Sequence, residues 1–200
     1  MEYQLRNWYF FTWLCGDHIA EQHIHNLDVM NWVMDGHPTQ CFGVGGRTVR
    51  FGPDHGHIFD HFGLQYDYAN GARVLSMCRH WDGCPGNVSE HVVGTEGQSN
   101  AYNWIGSKAE WRFTGKVAPE YVQEHIDLVT SIRAGKPLNE ARQVAESSLT
   151  AIMGRMAAYT GQVVSWDAAL NSKEDLSPKN YAFGPNEVPP VALPGKTPLI

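Results

Sequence analysis

Positive charge is scarce in this chain: Lys and Arg total 15 against 21 Asp and Glu, a formal charge of −6, and no Lys or Arg occurs between Arg6 and Arg47. Such a balance excludes the basic stripe needed to grip a phosphate backbone, so no nucleic-acid partner is expected. No apolar run approaches the ~20 residues of a membrane span, so no membrane partner is expected either. The aromatic run from Trp8 to Leu14 lacks a charged leader and a small-residue cleavage site, and reads as an opening strand rather than a targeting segment. Cys15, Cys41, Cys78 and Cys84 include no Cys-x-x-Cys pair and are too few for a disulfide framework. They read as free, mostly buried thiols. Also missing is the Gly-x-Gly-x-x-Gly turn that lets a helix N-terminus hold a pyrophosphate. Gly43-Val44-Gly45-Gly46 fails that spacing and reads as a bulge or turn in a strand.

Where cations are absent, histidines and carboxylates gather. In the segment from Cys15 to Asp28, helical spacing places His18, Glu21, His25 and Asp28 within roughly a quarter of one helix circumference. Ala20, Ile24, Leu27, Met30 and Met34 fall on the opposite, buried side. Asp17 suits the N-cap, and Gly36 before Pro38 marks the stop. A solvated helix face normally mixes in Lys or Arg, so the stripe is expected to face a cleft. A structural hydrogen-bond network suits the same residues. A metal site is the third reading, but there is no His-Glu-x-x-His, and His18 to His23 misses His-x-x-Glu-His by one residue. No metal is assigned.

Strand-like runs cover residues 39–51, 58–68, 72–81, 87–94 and 98–104, with a shorter one at 110–113. Asn70-Gly71 predicts a two-residue type I′ turn. That turn pairs Tyr68 with Arg73, Tyr66 with Leu75, Leu64 with Met77, Phe62 with Arg79 and Asp60 with Trp81. Asp60 and Arg79 would then share a face, able to bind sugar hydroxyls beside Trp81 or to form a plain edge salt bridge. His55, His57, His61 and His91 are scattered and read as structural.

Helical periodicity returns after Pro119, with Val122, His125, Leu128, Val129 and Ile132 on one side and Gly135 as the stop. A second helix runs from about Asn139 to Gly161, with Ser147, Ser148, Ala151, Gly154 and Ala158 as a small-residue side that permits close approach. Six of the eleven prolines follow Ser177, predicting an extended tail draped on a partner surface or disordered. The fold expected is α+β: a largely antiparallel open sheet of about six strands with helices on one face. The uncovered face of such a sheet favours association.

Glu21-x-x-x-His25-x-x-Asp28, followed by Val29-Met30-Asn31-Trp32-Val33-Met34, resembles the Asp-x-x-x-His-x-x-Asp helix of the glucose-fructose oxidoreductase, inositol dehydrogenase and rhizopine-catabolism (Gfo/Idh/MocA) family. Arg6-Asn7-Trp8-Tyr9, Gly16-Asp17-His18, Glu21 to Asp28 and Gly154-Arg155-Met156 resemble the bacterial-type branch of its C-terminal domain. Ile132 to Pro137 resembles the family's helix-ending segment. The likeness runs from Met1 to about Ser172, leaving 173–200 as the Pro-rich tail. Glu21 departs from the family's more usual Asp, reaching one methylene further.

The resemblance implies the substrate and oligomerisation domain of an NAD- or NADP-dependent oxidoreductase acting on a sugar, cyclitol or related polyol, with the nicotinamide held mainly by a Rossmann domain that precedes this segment in the family. It implies that His25 bonds the reacting hydroxyl and moves its proton, that Glu21 holds or tunes the imidazole, and that Arg6, Asn7, Trp8, Asp17 and His18 lie on the substrate side. The opposite sheet face would form a homo-oligomer. A fragment inactive alone is expected. Two alternatives stay open: a nicotinamide-dependent glycosidase of the same fold, and a non-catalytic carbohydrate-binding or oligomerisation module. Cytoplasm and periplasm are both compatible with the sequence.

Overall fold

The computed structural model describes residues 1–116 and 118–200. The chain forms two compact units, one of residues 1–86 with 146–200 and one of residues 87–145.

The opening of the first unit is helical, where a strand was expected. α1 (Glu2–Arg6), a 3-10 turn (Trp8–Phe10) and α2 (Thr12–Cys15) occupy the aromatic run. Within 8–15 the buried residues are Phe11, Thr12 and Cys15, and that spacing belongs to a helix rather than to the alternation of a strand. Gly16 (φ +71°) ends α2 in the left-handed region. Asp17 then caps α3 (His18–Glu21) by accepting from the His18 backbone N–H. After Gln22 and His23 the chain resumes as α4 (Ile24–Met34), which closes with Asp35 left-handed and the Gly36 N–H bonded back to the Asn31 carbonyl at 3.1 Å. Gly36 therefore stands at the stop, but the expected single helix is two.

β1 (Pro38–Gly46), β2 (His61–Tyr68) and β3 (Arg73–Arg79) follow. The second unit holds β4 (Val92–Val93), β5 (Gln98–Ser99), β6 (Trp104–Gly106), β7 (Trp111–Arg112) and α5 (Glu120–Arg133). α6 (Ala141–Thr160), β8 (Val164–Ser165) and α7 (Trp166–Leu170) complete the chain's regular structure. The architecture is α+β, but the strands form two antiparallel four-stranded sheets, β3-β2-β1-β8 and β4-β5-β6-β7, in place of one sheet of about six.

The β2–β3 hairpin sits where Asn70-Gly71 placed it, one residue out of the expected register. His61 pairs with Arg79, Phe62 with Cys78, Leu64 with Ser76 and Tyr66 with Val74. The cause is loop length. The Gly71 N–H bonds the Tyr68 carbonyl and the Tyr68 N–H bonds the Ala72 carbonyl, each at 2.9 Å, with Gly71 at φ +84°. This is a three-residue loop, a turn closed by one left-handed glycine, rather than a two-residue type I′ turn.

Strict alternation buries Phe62, Leu64, Tyr66 and Tyr68 on one face of β2. That face meets α6 at its small residues. A Cβ on Gly154 would lie 2.0 Å from the Tyr66 hydroxyl and 2.7 Å from Leu64 Cδ1, so the glycine makes room for the sheet. The Tyr68 hydroxyl donates to Asn31 Oδ1 at 2.7 Å, and Asn31 Nδ2 donates to Ser147 Oγ and Thr150 Oγ1, joining α4, α6 and the sheet. On the opposite face Phe42, Val44, Leu75 and Met77 are exposed, in adjoining rows of the register.

Beyond α7 the tail carries no helix or strand and lies on its own unit, where a partner surface or disorder was expected. The Met1 amino group donates to the Gly184 carbonyl at 2.7 Å, Gln4 and Asn186 exchange hydrogen bonds, and the Gly195 N–H reaches the Thr160 carbonyl at 2.8 Å. Arg155, 3% exposed, forms an ion pair with Glu174.

Overpacking at the sheet and α6 contact has a predictable cost. Gly154→Ala is expected to lower stability by about 1–3 kcal/mol despite alanine's better helix propensity, because Tyr66 cannot retreat without moving β2. Urea unfolding checks this, and an unchanged or raised midpoint would show that the contact is not tight.

Candidate functional site

The stripe expected from helical spacing divides at the break after Glu21. The break is anchored by His23, whose Nε2 lies 2.7 Å from Ser76 Oγ on β3. Burial, then the neighbouring His18, pushes the His23 imidazole down to about 4, so it sits neutral against the serine. Glu21 is half-buried and His25 exposed. Glu21 Oε2 accepts from Gln22 Nε2 at 2.7 Å, and among the described residues no hydrogen bond joins Glu21 to His25. Asp28 accepts from Ser147 Oγ at 2.5 Å and so belongs to the contact between α4 and α6.

Asp17 and His18 are not on an open edge. They are 0% and 3% exposed. Asp17 Oδ1 takes the His18 backbone N–H at 2.5 Å and the His18 Nδ1–H at 2.9 Å; its Oδ2 takes the Phe59 N–H at 2.8 Å and the Tyr159 hydroxyl at 2.5 Å. The second partner of His18 Nδ1 is the Phe59 carbonyl at 3.2 Å. Both partners of Nδ1 are acceptors only, so Nδ1 carries a proton, and in the neutral ring Nε2 presents a lone pair. That lone pair faces Cys78 Sγ at 3.4 Å. The His80 ring stacks on His18 at 4.4 Å between centroids.

The Tyr9 hydroxyl is pushed well above its ordinary value, by burial first and then by the carboxylates of Glu21 and Asp17. The Tyr9 ring contacts Trp8 at 5.7 Å and His80 at 5.7 Å. On the adjoining segment Arg6 and Trp8 are exposed, and Asn7 caps back onto the Tyr3 carbonyl at 3.0 Å. Arg6, Asn7 and Trp8 are thus the sequence-identified residues that remain on an accessible surface near Tyr9.

The pairing expected of Asp60 and Arg79 does not form. The one-residue register change puts His61, not Phe62, opposite Arg79, and so turns Asp60 and Arg79 to opposite faces. Asp60 is fully buried. Its Oδ2 takes three consecutive backbone N–H groups, from Thr48, Val49 and Arg50 at 2.8, 2.8 and 3.1 Å, and Oδ1 takes His61 Nδ1–H and Trp81 Nε1–H at 2.8 and 3.0 Å. Burial alone would raise this carboxyl; hydrogen bonds from Val49, His61, Trp81 and Thr48 overcome it and hold the group well below the usual carboxylate range. Arg79 lies at the surface, with its guanidinium 5.7 Å from the Trp81 ring.

Spacing within the sequence did not reveal Tyr9, Cys78, His80 or Tyr159. The available signal was that a phenol at a core position of a helix needs a buried partner. A hollow of about 460 Å³ beside α2, α3 and α6 is lined by Thr12, Cys15, Ala20, Ile24, Arg155 and Met156, among others, and includes neither Glu21 nor His25. No group of three or more metal-binding side chains occurs among the described residues.

No protein-family model matches the chain, and no curated protein matches it. Solved structures do. A Thermotoga maritima protein assigned as an oxidoreductase superposes with a TM-score of 0.63 at 20% identity, over 80% of this chain and 50% of that one. The aldose-aldose oxidoreductase of Caulobacter crescentus, solved with glycerol, gives 0.62 at 17% identity, over 79% and 50%. The WlbA dehydrogenase of Bordetella pertussis, solved with NADH and UDP-GlcNAcA, gives 0.51 at 18% identity, over 72% and 43%. The chain spans about half the length of these solved proteins, and what it shares with them is the fold of an oxidoreductase half.

Proposed function

We propose that this chain is the C-terminal substrate and oligomerisation domain of an NAD(P)-dependent oxidoreductase of the Gfo/Idh/MocA type, acting on a sugar, cyclitol or related polyol. The observation that carries the reading is the shared fold with about half of several oxidoreductases. The accessible Glu21 and His25 lie on the segment that resembles the family's motif.

The glycine cluster Gly43 to Gly46 does not have the form of a dinucleotide cradle. Gly43 to Gly46 lies inside β1, where a Cβ on Gly43 would fall 2.3 Å from the Gly63 carbonyl and one on Gly45 2.8 Å from the His61 carbonyl. These glycines permit strands to approach each other and leave no room for a pyrophosphate. In this reading NAD or NADP belongs to a second domain, and this chain supplies proton transfer and orientation.

In this reading His25 takes the proton of the reacting hydroxyl, and the Glu21 carboxylate tunes it from the preceding helix. Arg6, Asn7 and Trp8 supply hydrogen bonds and an apolar surface for the ring. Asp17, His18 and Asp60 act from beneath, holding the helix and loop rather than touching substrate; Arg79 lies on the outer surface. Phe42, Val44, Leu75 and Met77 are the surface on which a second copy would pack.

Two outcomes test this reading. Isothermal calorimetry of the 200-residue chain should show no micromolar binding of NADH or NADPH; such binding would place the cofactor site in this chain and overturn the division of labour. In a full-length protein containing both domains, His25→Ala should lower kcat/KM on the best substrate of a sugar and polyol panel by about 10²–10⁴ with cofactor affinity little changed, and Glu21→Gln should cost less. Near-normal turnover in His25→Ala would remove the central residue of the proposal.

A further inference from the structure

Cys78 has partners that no other cysteine of the chain has. Cys41 is fully buried, and Cys15 is held by backbone, its Sγ donating to the Tyr9 carbonyl and accepting the Asp17 N–H, both at 3.1 Å. Cys84 is exposed. Cys78 is half-buried at the end of β3, 3.4 Å from His18 Nε2, and His18 is held at Nδ1 by Asp17 at 2.9 Å. A thiol, a base within reach and a third group orienting that base are the parts of an activated nucleophile. In its neutral form His18 directs the Nε2 lone pair at this thiol. Beside it, His80 Nε2 is a buried nitrogen with no hydrogen-bond partner among the described residues.

We propose that Cys78 is a covalent-modification site for soft carbon electrophiles, with His18 as the base that takes its proton and Asp17 as the group that holds the imidazole. In the step, the sulfur electron pair forms the S–C bond, the S–H proton passes to His18 Nε2, and the leaving group departs with the electrons of the broken bond. With iodoacetamide the leaving group is iodide.

Burial, then the charge of Asp17, pushes the resting thiol up to about 12. Cys78 therefore rests as a thiol, and reacts as a serine does, by losing its proton to the base during attack. The groups facing His18 are Asp17, with Tyr159 bonded behind it, the Phe59 carbonyl, the Phe62 ring, His23 from the turn before α4, and Cys78 and His80 from the end of β3. Because the Tyr9 ring packs on His80 at 5.7 Å and on Trp8 at 5.7 Å, and His80 stacks on His18, an adduct on Cys78 would disturb the proposed substrate edge at Trp8. That consequence rests on the functional reading above; the reactivity does not.

Alkylation of the intact chain with iodoacetamide, read cysteine by cysteine by peptide mass spectrometry, tests the assignment with Cys84 as the internal reference. Cys84, exposed to solvent, should rise in rate by about tenfold per pH unit across the acidic range. Cys78 should instead level off within that range and exceed Cys84 by about tenfold at its acidic end. His18→Gln should lower the Cys78 rate by about tenfold or more and leave Cys84 unchanged. Should that variant fail to fold, the wild-type profile decides alone. Cys78 tracking the slope of Cys84, or reacting more slowly than Cys84 at every pH, would overturn the proposal.

Discussion

The carboxylate of Asp17 is the constraint on which the first unit depends. A buried charge costs several kcal/mol unless its lone pairs are filled, and here four donors fill them: the backbone N–H groups of His18 and Phe59, the His18 ring and the Tyr159 hydroxyl. These donors come from α3, from the segment before β2 and from α6, so one side chain fixes three elements relative to each other. The residue also holds φ +76° with ψ 161°, an extended positive-φ conformation that is essentially confined to glycine, costs about 1–3 kcal/mol and persists only where surrounding contacts impose it. Tyr159, fully engaged by the carboxylate, is kept neutral by burial and by that charge.

Asp60 repeats the device a short distance along the chain. Phe59 donates its N–H to Asp17, and the next residue turns its own carboxylate onto the N–H groups of Thr48, Val49 and Arg50. The entry to β2 is therefore held from both sides, and the loop after β1 is folded around an internal anion. Both carboxylates also hold a histidine at Nδ1, His18 and His61, which leaves each imidazole's Nε2 as the chemically available nitrogen. The structure thus separates two tasks on adjoining residues: Asp17 and His18 stabilise and orient from within, while Glu21 and His25 stay accessible.

What was legible in the sequence follows the range of each cause. Local causes were readable: Asp17 as a cap, Gly36 and Gly135 as stops, a hairpin at Asn70-Gly71 and Gly154 on a close-packed helix face. The register was not, because counting the loop as two residues or three depends on whether Gly71 closes the turn, and that one-residue difference moved Arg79 away from Asp60. The break between α3 and α4 was hidden because its anchor, Ser76, lies on β3 and enters only through tertiary contact with His23. The same holds for the Asp17 network, whose partners come from Phe59 and Tyr159. The opening aromatic run was misread because bulky residues suit a strand in isolation, whereas here Phe11, Thr12 and Cys15 are buried at helical spacing.

The most direct measurement of this account is a double-mutant cycle between Asp17→Asn and Tyr159→Phe, read by urea unfolding of the whole chain. If the carboxylate organises the unit through its bond to Tyr159, the two changes should be non-additive, with a coupling of about 1–3 kcal/mol. Additive losses, or an Asp17→Asn variant as stable as the parent, would contradict the central claim that this buried charge holds α3 and α6 together.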